Sequence, residues 1–147
     1  MADSADLLAW RNEFRARKMF KNQSRVSPRD HMRWLSEKLE DQETFIFIGE
    51  EVGIGKVGVC RIEKSSSSMN YEISVTIPQD LRGRGIGSEF TRLVISAFWL
   101  EISCPIVAWV NKSNLASVSL FTNLGFIASG LSQGDFLQFK LDVGCLI

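Results

Sequence analysis

The chain has 147 residues, of which 45% are hydrophobic and 23% charged, a composition typical of one globular domain that buries its own core. Its 17 basic and 17 acidic side chains cancel, which argues against a general affinity for nucleic acid or for a membrane surface. No apolar run reaches the roughly 18 residues that a membrane-spanning helix needs, and the polar N-terminus shows no signal-peptide pattern.

The three cysteines, Cys60, Cys104 and Cys145, are scattered along the chain, and their number is odd. None has the spacing of a zinc ligand, and His31 is the single histidine of the sequence, so a multi-histidine metal site is excluded. We therefore expect free thiols in a reducing cytoplasm and no metal ion.

The N-terminal segment predicts an amphipathic helix of about sixteen residues. Ser4 is suited to cap its start, because a serine oxygen can accept an N–H group of the first turn. Its buried stripe is expected to contain Leu7, Trp10 and Phe14.

A second helix is predicted from a clear start signal. Ser27 can act as its N-cap, and Pro28 fits the first helical position, where an N–H group has no partner in any case. Leu35 and Leu39 lie one turn apart and are expected to form its inward face, with His31 or Met32 one turn earlier.

The middle of the chain changes to the period of β-strands. Residues 44–48 and 56–62 each predict a short strand, with a turn between them. Residues 71–77 alternate apolar and polar side chains, which indicates a strand with two distinct faces, and Pro78 ends it.

The remainder predicts a long helix over residues 86–101, a strand over 106–110, a helix over 115–124 and two final strands. The inward face of the long helix is expected to contain Ile86, Phe90, Leu93, Val94 and Ala97. The order αα-βββ-α-β-α-ββ predicts a single α/β domain over residues 1–147, in which a mixed sheet carries helices on both faces.

A glycine-rich turn, Arg82-Gly83-Arg84-Gly85-Ile86-Gly87, joins a predicted strand to the long helix. The N–H groups at the start of a helix lack intrahelical partners and bind a diphosphate well, and glycine lets the backbone approach phosphate oxygens closely. Arg82 and Arg84 would add cationic donors at the rim. A plain capping turn is the structural alternative.

Two nucleotide-binding patterns that contain such turns do not fit. The dinucleotide-binding pattern G-x-G-x-x-G follows the first strand of its domain, whereas the turn here follows a meander of strands. The P-loop needs Gly-Lys followed by Ser or Thr, and this tripeptide is absent from the sequence.

The turn matches the phosphate-loop signature of the GNAT superfamily of N-acetyltransferases at Arg82, Gly85 and Gly87, after a strand that ends in Val-Thr-Ile-Pro. A second match lies downstream, in the run Asn111-Lys112-Ser113-Asn114 and in the Gly-Phe pair that follows the next helix. Over residues 71–127 the chain therefore resembles this superfamily.

The resemblance implies a central, mostly antiparallel twisted sheet whose splayed strands bind acetyl-coenzyme A as the cosubstrate. Val75 and Ile77 would pair through their main chain with the pantetheine amides, and the main chain of residues 82–88 would hold the pyrophosphate. Asn114 would contact the coenzyme arm, or act as a plain helix N-cap. The full set of expected coenzyme contacts is Val75, Thr76, Ile77, Arg82, Gly83, Arg84, Gly85, Ile86, Gly87, Ser88, Asn114 and Phe121.

Aminolysis of a thioester needs a neutral amine, a stabilised oxyanion and often a proton for the leaving thiolate. Many GNAT enzymes supply that proton from a tyrosine in the last helix, but the matching residue here is Phe121. Either water protonates the thiolate, or another residue does, or the protein binds coenzyme A without efficient turnover. For the base we favour Glu72, acting through a water that Ser74 helps to order; an exposed strand carboxylate is the alternative.

Two N-terminal strings, Trp10-Arg11-Asn12 and residues 27–35, resemble the GNAT branch that acetylates nucleotide-linked amino sugars, closest to the enzymes of the pseudaminic acid pathway. Similar strings occur in relatives that acetylate the N-terminal alanine of ribosomal proteins. The expected acceptor is a UDP-linked amino sugar; a ribosomal-protein N-terminus, a polyamine or no acceptor are the alternatives. The resemblance implies four substrate residues, with solvated or packed helix faces as their alternative role: Arg11, Asn12, Arg29 and His31.

The family normally opens with a strand before the first helix, and too few residues precede the predicted helix here for such a strand. Either the sheet lacks that edge, or the true N-terminus lies upstream, or a partner strand completes the sheet. An open edge would favour a homodimer.

Overall fold

The computed structural model describes residues 2–147, apart from the side chain of Phe14. It contains five α-helices, six β-strands and a short 3-10 helix at Gln79–Leu81. The helices are α1 (Ser4–Asn12), α2 (Phe14–Lys18), α3 (Pro28–Glu40), α4 (Ile86–Glu101) and α5 (Leu115–Asn123). The strands are β1 (Thr44–Glu51), β2 (Gly55–Lys64), β3 (Tyr71–Thr76), β4 (Ile106–Asn111), β5 (Ile127–Gln133) and β6 (Phe136–Leu141).

The strands form one sheet in the order β1-β2-β3-β4-β6-β5. Neighbouring strands are antiparallel except β3 and β4, which run parallel because the crossover through α4 returns the chain to the same end of the sheet. The predicted α/β mixed sheet, mostly antiparallel, is therefore confirmed. β1 is an edge strand, and none of the described residues forms a strand before α1.

A single apolar core cluster forms where α4 and α5 pack on the sheet. α4 turns Phe90, Val94 and Phe98 inward, at positions separated by one helical turn. The prediction that Leu93 and Ala97 share this face is wrong, because Leu93 is 61% exposed and Ala97 is also exposed. Both residues lie about 100° around the helix from the buried stripe.

α3 covers the opposite face of the sheet. Along β2, Ile62 points into the core, so its neighbours Arg61 and Glu63 point to the other side. There the Cζ atom of Arg61 lies 5.1 Å from the ring centroid of Trp34, and the Nζ atom of Lys38 lies 2.6 Å from a carboxylate oxygen of Glu63. Helices therefore cover both faces, as predicted.

The predicted N-cap of α3 is confirmed, because the Oγ atom of Ser27 accepts an N–H group of the first turn at 3.1 Å. His31 and Leu35 are buried, but Leu39, which was predicted to share their face, is 55% exposed. The inward stripe passes instead through Lys38, which follows Leu35 by three positions and contacts β2.

The predicted first helix is two helices, because the chain breaks at Glu13. The backbone of Glu13 is extended, with ψ of 132°. Its carboxylate accepts the N–H of Arg15 at 3.2 Å and the N–H of Ala16 at 2.8 Å, and so caps α2. A helix cap in the middle of the segment explains why one continuous helix does not form.

The start of α1 also differs from the prediction. Ser4 lies inside α1, after Asp3 at the N-cap position, and its Oγ atom contacts Met32 Sδ at 3.0 Å. Leu7 and Trp10, expected in a buried stripe, are only partly buried. The side chain of Phe14, the third member of that stripe, lies outside the described residues.

Candidate active site

A gap opens between β3 and β4 soon after the two strands meet. Over their described length they pair only at Tyr71–Ile106 and Glu72–Val107, although both strands continue well beyond these pairs. The parallel strands therefore splay apart toward their carboxyl ends, and a ligand can reach the edge of each strand.

The main chain of β3 faces this gap with hydrogen-bonding groups. Tyr71 donates its N–H to Pro105 O at 3.1 Å, so the backbone groups of Tyr71 point toward β4. Because these groups alternate sides along a strand, those of Val75 point the same way, past the last residues paired with β4. Farther along, the C=O of Ile77 accepts a hydrogen bond from Arg82 Nε at 2.8 Å.

The glycine-rich turn presents N–H groups at the start of α4. Gly83 and Gly85 each have φ of +77°, and a Cβ atom added to either would meet no atom within 4 Å. Within residues 2–147, the N–H groups from Gly83 to Ser88 have no hydrogen-bond partner; the next N–H, of Glu89, binds Gly85 O at 3.3 Å. This open row of donors at a helix start fits a diphosphate.

Gly87 has a packing role in addition. A Cβ atom at Gly87 would lie 3.2 Å from Leu120 Cδ1 on α5 and 3.3 Å from Ile77 Cγ1. The start of α4 is therefore pressed against α5 and the end of β3, which holds the N–H groups in place. Arg84 is exposed at the rim of the turn.

Arg82 joins the turn to the N-terminal helices. Its Nη2 atom lies 3.0 Å from Glu13 Oε2, and its Nε atom donates to Ile77 O, so the guanidinium expected to meet the phosphates is held by the protein. Burial, the largest single effect, raises the pKa of Glu13, but the hydrogen bonds from Arg82, Ala16 and Arg15 outweigh it and lower that pKa below its ordinary value.

A groove of 260 Å³ lies between α1 and the end of β3. Its walls come from α1, the break at Glu13, the end of β3 and the turn that follows, through Ala9, Trp10, Glu13, Thr76, Ile77, Pro78, Gln79, Asp80 and Arg82. The groove adjoins the gap at Thr76 and Ile77, and none of the four predicted substrate residues is among its described walls.

Glu72 lies at the apex of the gap, because it belongs to the last pair between β3 and β4. Its partly buried side chain points to the face opposite the core residue Ile73, and its Oε1 atom accepts a hydrogen bond from Ser65 Oγ at 3.1 Å. Ser74 and Thr76 follow on the same face. The structure therefore brings the predicted base and its predicted neighbours onto one side of the opening.

Arg11 and Asn12, two of the predicted substrate residues, support the segment between α2 and α3. The Nη2 atom of Arg11 donates to Asn22 O at 2.7 Å, and its Cζ atom lies 4.4 Å from the ring centroid of Phe20. Asn12 exchanges two hydrogen bonds with the main chain of Val26, at 2.8 and 2.7 Å. Both the nitrogen and the oxygen of the Asn12 side-chain amide are therefore hydrogen-bonded to the main chain.

Arg29 and His31, the other two predicted substrate residues, lie on α3 and not in the walls of the groove. Arg29 is exposed, whereas His31 is 3% exposed and its ring centroid lies 5.8 Å from that of Trp34. Burial lowers the pKa of His31, so the ring stays neutral at neutral pH and packs against its neighbours. His31 therefore packs within the fold, and its expected role in substrate binding stays a prediction.

Asn114 and Phe121 both have structural roles. Asn114 Oδ1 accepts the N–H of Ser117 at 3.2 Å, which makes Asn114 the N-cap of α5. Phe121 is 5% exposed, and its ring centroid lies 5.0 Å from that of Phe126 in an edge-on arrangement. A ring buried this far packs in the core, and the expected contact of Phe121 with the coenzyme stays a prediction.

The family model of the acetyltransferase (GNAT) domain matches residues 1–127, which is most of the chain. The chain belongs to the GNAT family of acetyltransferases. The matched residues include the gap, the glycine-rich turn and the groove described above.

Solved structures share the fold of this GNAT domain. Spermidine N-acetyltransferase from Vibrio cholerae, in complex with CoA and spermine, has a TM-score of 0.84 at 15% identity, over 98% of this chain and 92% of that one. Ribosomal-protein-alanine N-acetyltransferase from Brucella melitensis has a TM-score of 0.76 at 23% identity, over 97% and 95%. The yncA protein of Salmonella typhimurium, solved with its cofactor acetyl-CoA, has a TM-score of 0.75 at 22% identity, over 96% and 88%.

None of the curated proteins matches the sequence of this GNAT domain. In the described part of the chain, every helix is too short or too polar to cross a membrane. Nor do residues 2–147 bring three or more His, Cys, Asp or Glu side chains together in an arrangement that could hold a metal ion.

Sequence reasoning missed two residues near the opening of this GNAT domain: Glu13 and Lys21. Glu13 had a local signal, because an acidic side chain just before Arg15 and Ala16 can cap a new helix. Lys21 had none: its Nζ atom lies 4.7 Å from the ring centroid of Trp109 on β4, and that contact joins positions far apart in the chain.

Proposed function

We propose that this GNAT domain binds acetyl-coenzyme A and transfers the acetyl group to a primary amine of a small molecule. The proposal rests on one arrangement, in which the gap between β3 and β4 is followed by the unpartnered N–H groups of residues 83–88. A strand edge suits an extended arm that contains amides, and N–H groups at a helix start suit a diphosphate. Coenzyme A contains both groups in a row.

When bound, acetyl-coenzyme A would supply the acetyl group as an activated thioester. The main chain of Val75 would pair with the pantetheine arm, as an added strand does. The N–H groups of residues 83–88 would hold the diphosphate, and the open space beside Gly83 and Gly85 leaves room for its oxygens. Arg82 would act indirectly, because its guanidinium holds the turn against Glu13.

Glu72 is the residue that we propose to take the proton from the acceptor amine, directly or through a water. The hydrogen bond from Ser65 orients its carboxylate at the apex of the gap, and Ser74 lies on the same face. Phe121 has no proton to give, so the leaving thiolate would take its proton from water. This is chemically acceptable because a thiolate is a much better leaving group than an amine.

For the acceptor we propose a nucleotide-linked amino sugar. The support is the resemblance of the two N-terminal strings and the groove beside α1, whose walls include the charged residues Glu13, Asp80 and Arg82. Asn12 is hydrogen-bonded to the main chain of Val26, and His31 is buried. The contacts to the sugar would therefore come chiefly from the walls of the groove.

The experiment measures thiol release from acetyl-coenzyme A with three acceptors: a UDP-linked 4-amino sugar, a peptide that begins with alanine, and spermidine. The peptide and spermidine are included because two proteins of the same fold carry those acceptors in their names. Thiol release above hydrolysis with the amino sugar supports the proposal. Turnover of the peptide or of spermidine instead would contradict the proposed acceptor but would still support the proposed acetyl transfer.

Coenzyme binding is measured separately, by calorimetry on the folded protein. Tight binding with no turnover of any acceptor would mean that the protein is a coenzyme A-binding domain without catalysis. A folded protein that binds neither coenzyme A nor its acetyl form would refute the whole proposal.

Three further expectations stay proposals. Residues 1–147 would act as one domain, since the described core is a single cluster on a single sheet. Two copies would associate through the open edge of β1, which sedimentation velocity can test. The three free thiols accord with a reducing cytoplasm.

A further inference from the structure

The loop that joins β2 to β3 contains four consecutive serines at residues 65–68. Ser65 is only 8% exposed, whereas the other three serines are exposed. A buried hydroxyl group needs a hydrogen-bond partner, and Ser65 Oγ donates to Glu72 Oε1 at 3.1 Å. The loop therefore brings one buried hydroxyl group into contact with the proposed base.

Hydrogen bonds hold this serine loop in place. The N–H group of Ser65 donates to Asn70 O at 3.0 Å, which closes the loop at its base. The carbonyl oxygen of Met69 accepts hydrogen bonds from Lys64 Nζ at 3.0 Å and from Cys104 Sγ at 3.3 Å. The loop is therefore fastened both to the end of β2 and to the segment that precedes β4.

A second hydroxyl group continues the contact toward solvent. Ser65 Oγ and Ser67 Oγ lie 3.3 Å apart, and either atom can be the donor. The N–H group of Ser67 also donates to Ser65 Oγ at 3.3 Å. Because Ser67 is exposed, its side chain can rotate to shorten the contact and can exchange protons with water. We call Ser65 and Ser67 the serine pair; together with Glu72 they form a row of oxygens that ends at the surface.

The Ser65 hydroxyl group can reverse the direction of its hydrogen bonds. A serine hydroxyl has one donor and two acceptor positions, and the N–H group of Ser67 takes one acceptor position. When Glu72 is ionised, Ser65 donates to Glu72, and its second acceptor position faces the hydroxyl of Ser67. When Glu72 is protonated, Ser65 can accept from Glu72 and donate to Ser67 instead. Both arrangements pair the same groups, so a proton can move along the row without leaving a buried group unpaired.

The serine pair lies on the far side of Glu72 from the gap. β3 and β4 splay toward their carboxyl ends, beyond the pair Glu72–Val107, whereas residues 65–70 precede the amino end of β3. A coenzyme and an acceptor that fill the gap would exclude water from that side of the carboxylate. The loop side would stay in contact with solvent through the exposed Ser67.

We infer that the serine pair carries to solvent the proton that Glu72 takes from the acceptor. The inference rests on the proposed acetyl transfer with Glu72 as the base. An N–H bond of the acceptor breaks as an O–H bond forms on Glu72. That proton then passes to Ser65 Oγ, while the proton of Ser65 passes to Ser67 Oγ and the proton of Ser67 passes to water. Each hydroxyl group gains one proton and loses one, so Glu72 returns to its ionised form.

The first test follows the hydroxyl proton of Ser65 by NMR in the folded protein, before any coenzyme or acceptor is added. This buried proton should give a distinct signal and should exchange with water by way of Ser67. Ser67→Ala removes the outer hydroxyl group and keeps the hydrogen bond from Ser65 to Glu72, so we expect exchange to slow about tenfold or more. Ser66→Ala is the matched control, because Ser66 is exposed in the same loop, and it should leave the exchange rate as it is.

The second test measures acetyl transfer in the same variants. We expect Ser67→Ala to lower kcat about tenfold, to increase the solvent deuterium isotope effect and to leave the KM for acetyl-coenzyme A unchanged. Imidazole in the buffer can carry the proton instead, so it should restore most of the lost kcat in Ser67→Ala. Ser66→Ala should behave like the native protein. A serine that only stabilised the loop would not produce a defect that a small base repairs.

The outcomes separate this inference from the proposed function. If the hydroxyl proton of Ser65 gives no distinct signal, or exchanges as fast in Ser67→Ala as in the native protein, the proton route is refuted even if acetyl transfer is observed. If exchange slows but no acceptor is turned over, the route stands and the proposed catalysis fails. If exchange slows while Ser67→Ala keeps the native kcat, the reaction does not use the route and the inference is overturned.

Discussion

Glu13 and Arg82 join two parts of the molecule that lie far apart in sequence, with Arg82 Nη2 at 3.0 Å from Glu13 Oε2. Glu13 caps α2 and forms a wall of the groove, whereas Arg82 begins the glycine-rich turn that leads into α4. The pair therefore connects the proposed acceptor side of the site to the proposed coenzyme side.

This ion pair should contribute measurably to stability. We expect a double-mutant cycle with Glu13→Gln and Arg82→Met, followed by urea unfolding, to give a coupling energy of roughly 0.5–1 kcal/mol, because both groups are partly shielded from water. The pair Glu89–Arg92 on α4 has a similar distance of 2.8 Å with a more exposed carboxylate, so its cycle should give less. Equal coupling in the two cycles would contradict a special role for Glu13 and Arg82.

The contribution of Glu13 should depend on pH in a defined direction. Its pKa is lowered in the folded protein, so its stabilising effect is complete above the unfolded value, about 4.5, and is lost as the pH falls through the lower folded value. The free energy of unfolding of the native protein should therefore exceed that of Glu13→Gln at neutral pH and approach it in acid. Urea titrations across the acid range measure this, and a difference that is constant with pH would disprove it.

A negatively charged side chain at position 85 should weaken coenzyme A binding more than an uncharged side chain of the same size does. Gly85→Glu and Gly85→Gln place nearly identical side chains at a backbone with φ of +77°, so each should lose about 1 kcal/mol or more of stability to the same strain. The glutamate variant alone sets a negative charge against the diphosphate, and we expect it to bind coenzyme A at least about tenfold more weakly than the glutamine variant. Calorimetry that finds equal affinities would move the diphosphate away from this turn.

Glu72→Gln should separate turnover from binding. The glutamine keeps an oxygen that can accept the hydrogen bond from Ser65 but cannot take a proton, so we expect kcat to fall about a hundredfold or more. The Kd for coenzyme A should change little. Glu51→Gln, at an exposed position of β1, is the matched control and should keep full activity. Unchanged turnover in Glu72→Gln would remove Glu72 from the mechanism.

The three thiols should react with a thiol reagent in an order set by burial. Cys60 is fully buried, and burial raises its pKa, so the reactive thiolate hardly forms in the folded protein. Cys145 is exposed and should react first. Mass spectrometry after brief labelling measures the order, and rapid modification of Cys60 in the folded protein would contradict the packing described here.

Local patterns in the sequence were sufficient to predict several structural elements. The helix predicted over residues 86–101 has the bounds of α4, and Ser27 caps α3 as predicted. These features depend on the spacing of apolar residues and on hydrogen bonds between near neighbours, both of which can be read directly from the sequence. The glycine-rich turn belongs with them, because the need for positive φ at Gly83 and Gly85 is a local one.

Contacts between distant segments were beyond the reach of such patterns. The inward face of α4 was placed one position off at Leu93, because rotation about the helix axis is decided by packing on the sheet. The contact between Glu13 and Arg82 is a second case, because it joins residues that lie 69 positions apart in the chain.

By itself the sequence determined the order of helices and strands, the position of the turn with free N–H groups and the resemblance to one family of acetyltransferases. Only the tertiary structure decided where β3 leaves β4, which side chains are held by hydrogen bonds within the fold, and that Glu13 and Arg82 meet at the groove. The physical reason is the separation along the chain of the residues that interact. Backbone conformation follows from residues within a few positions, whereas a site is built where segments distant in the chain pack together and their charges act on one another.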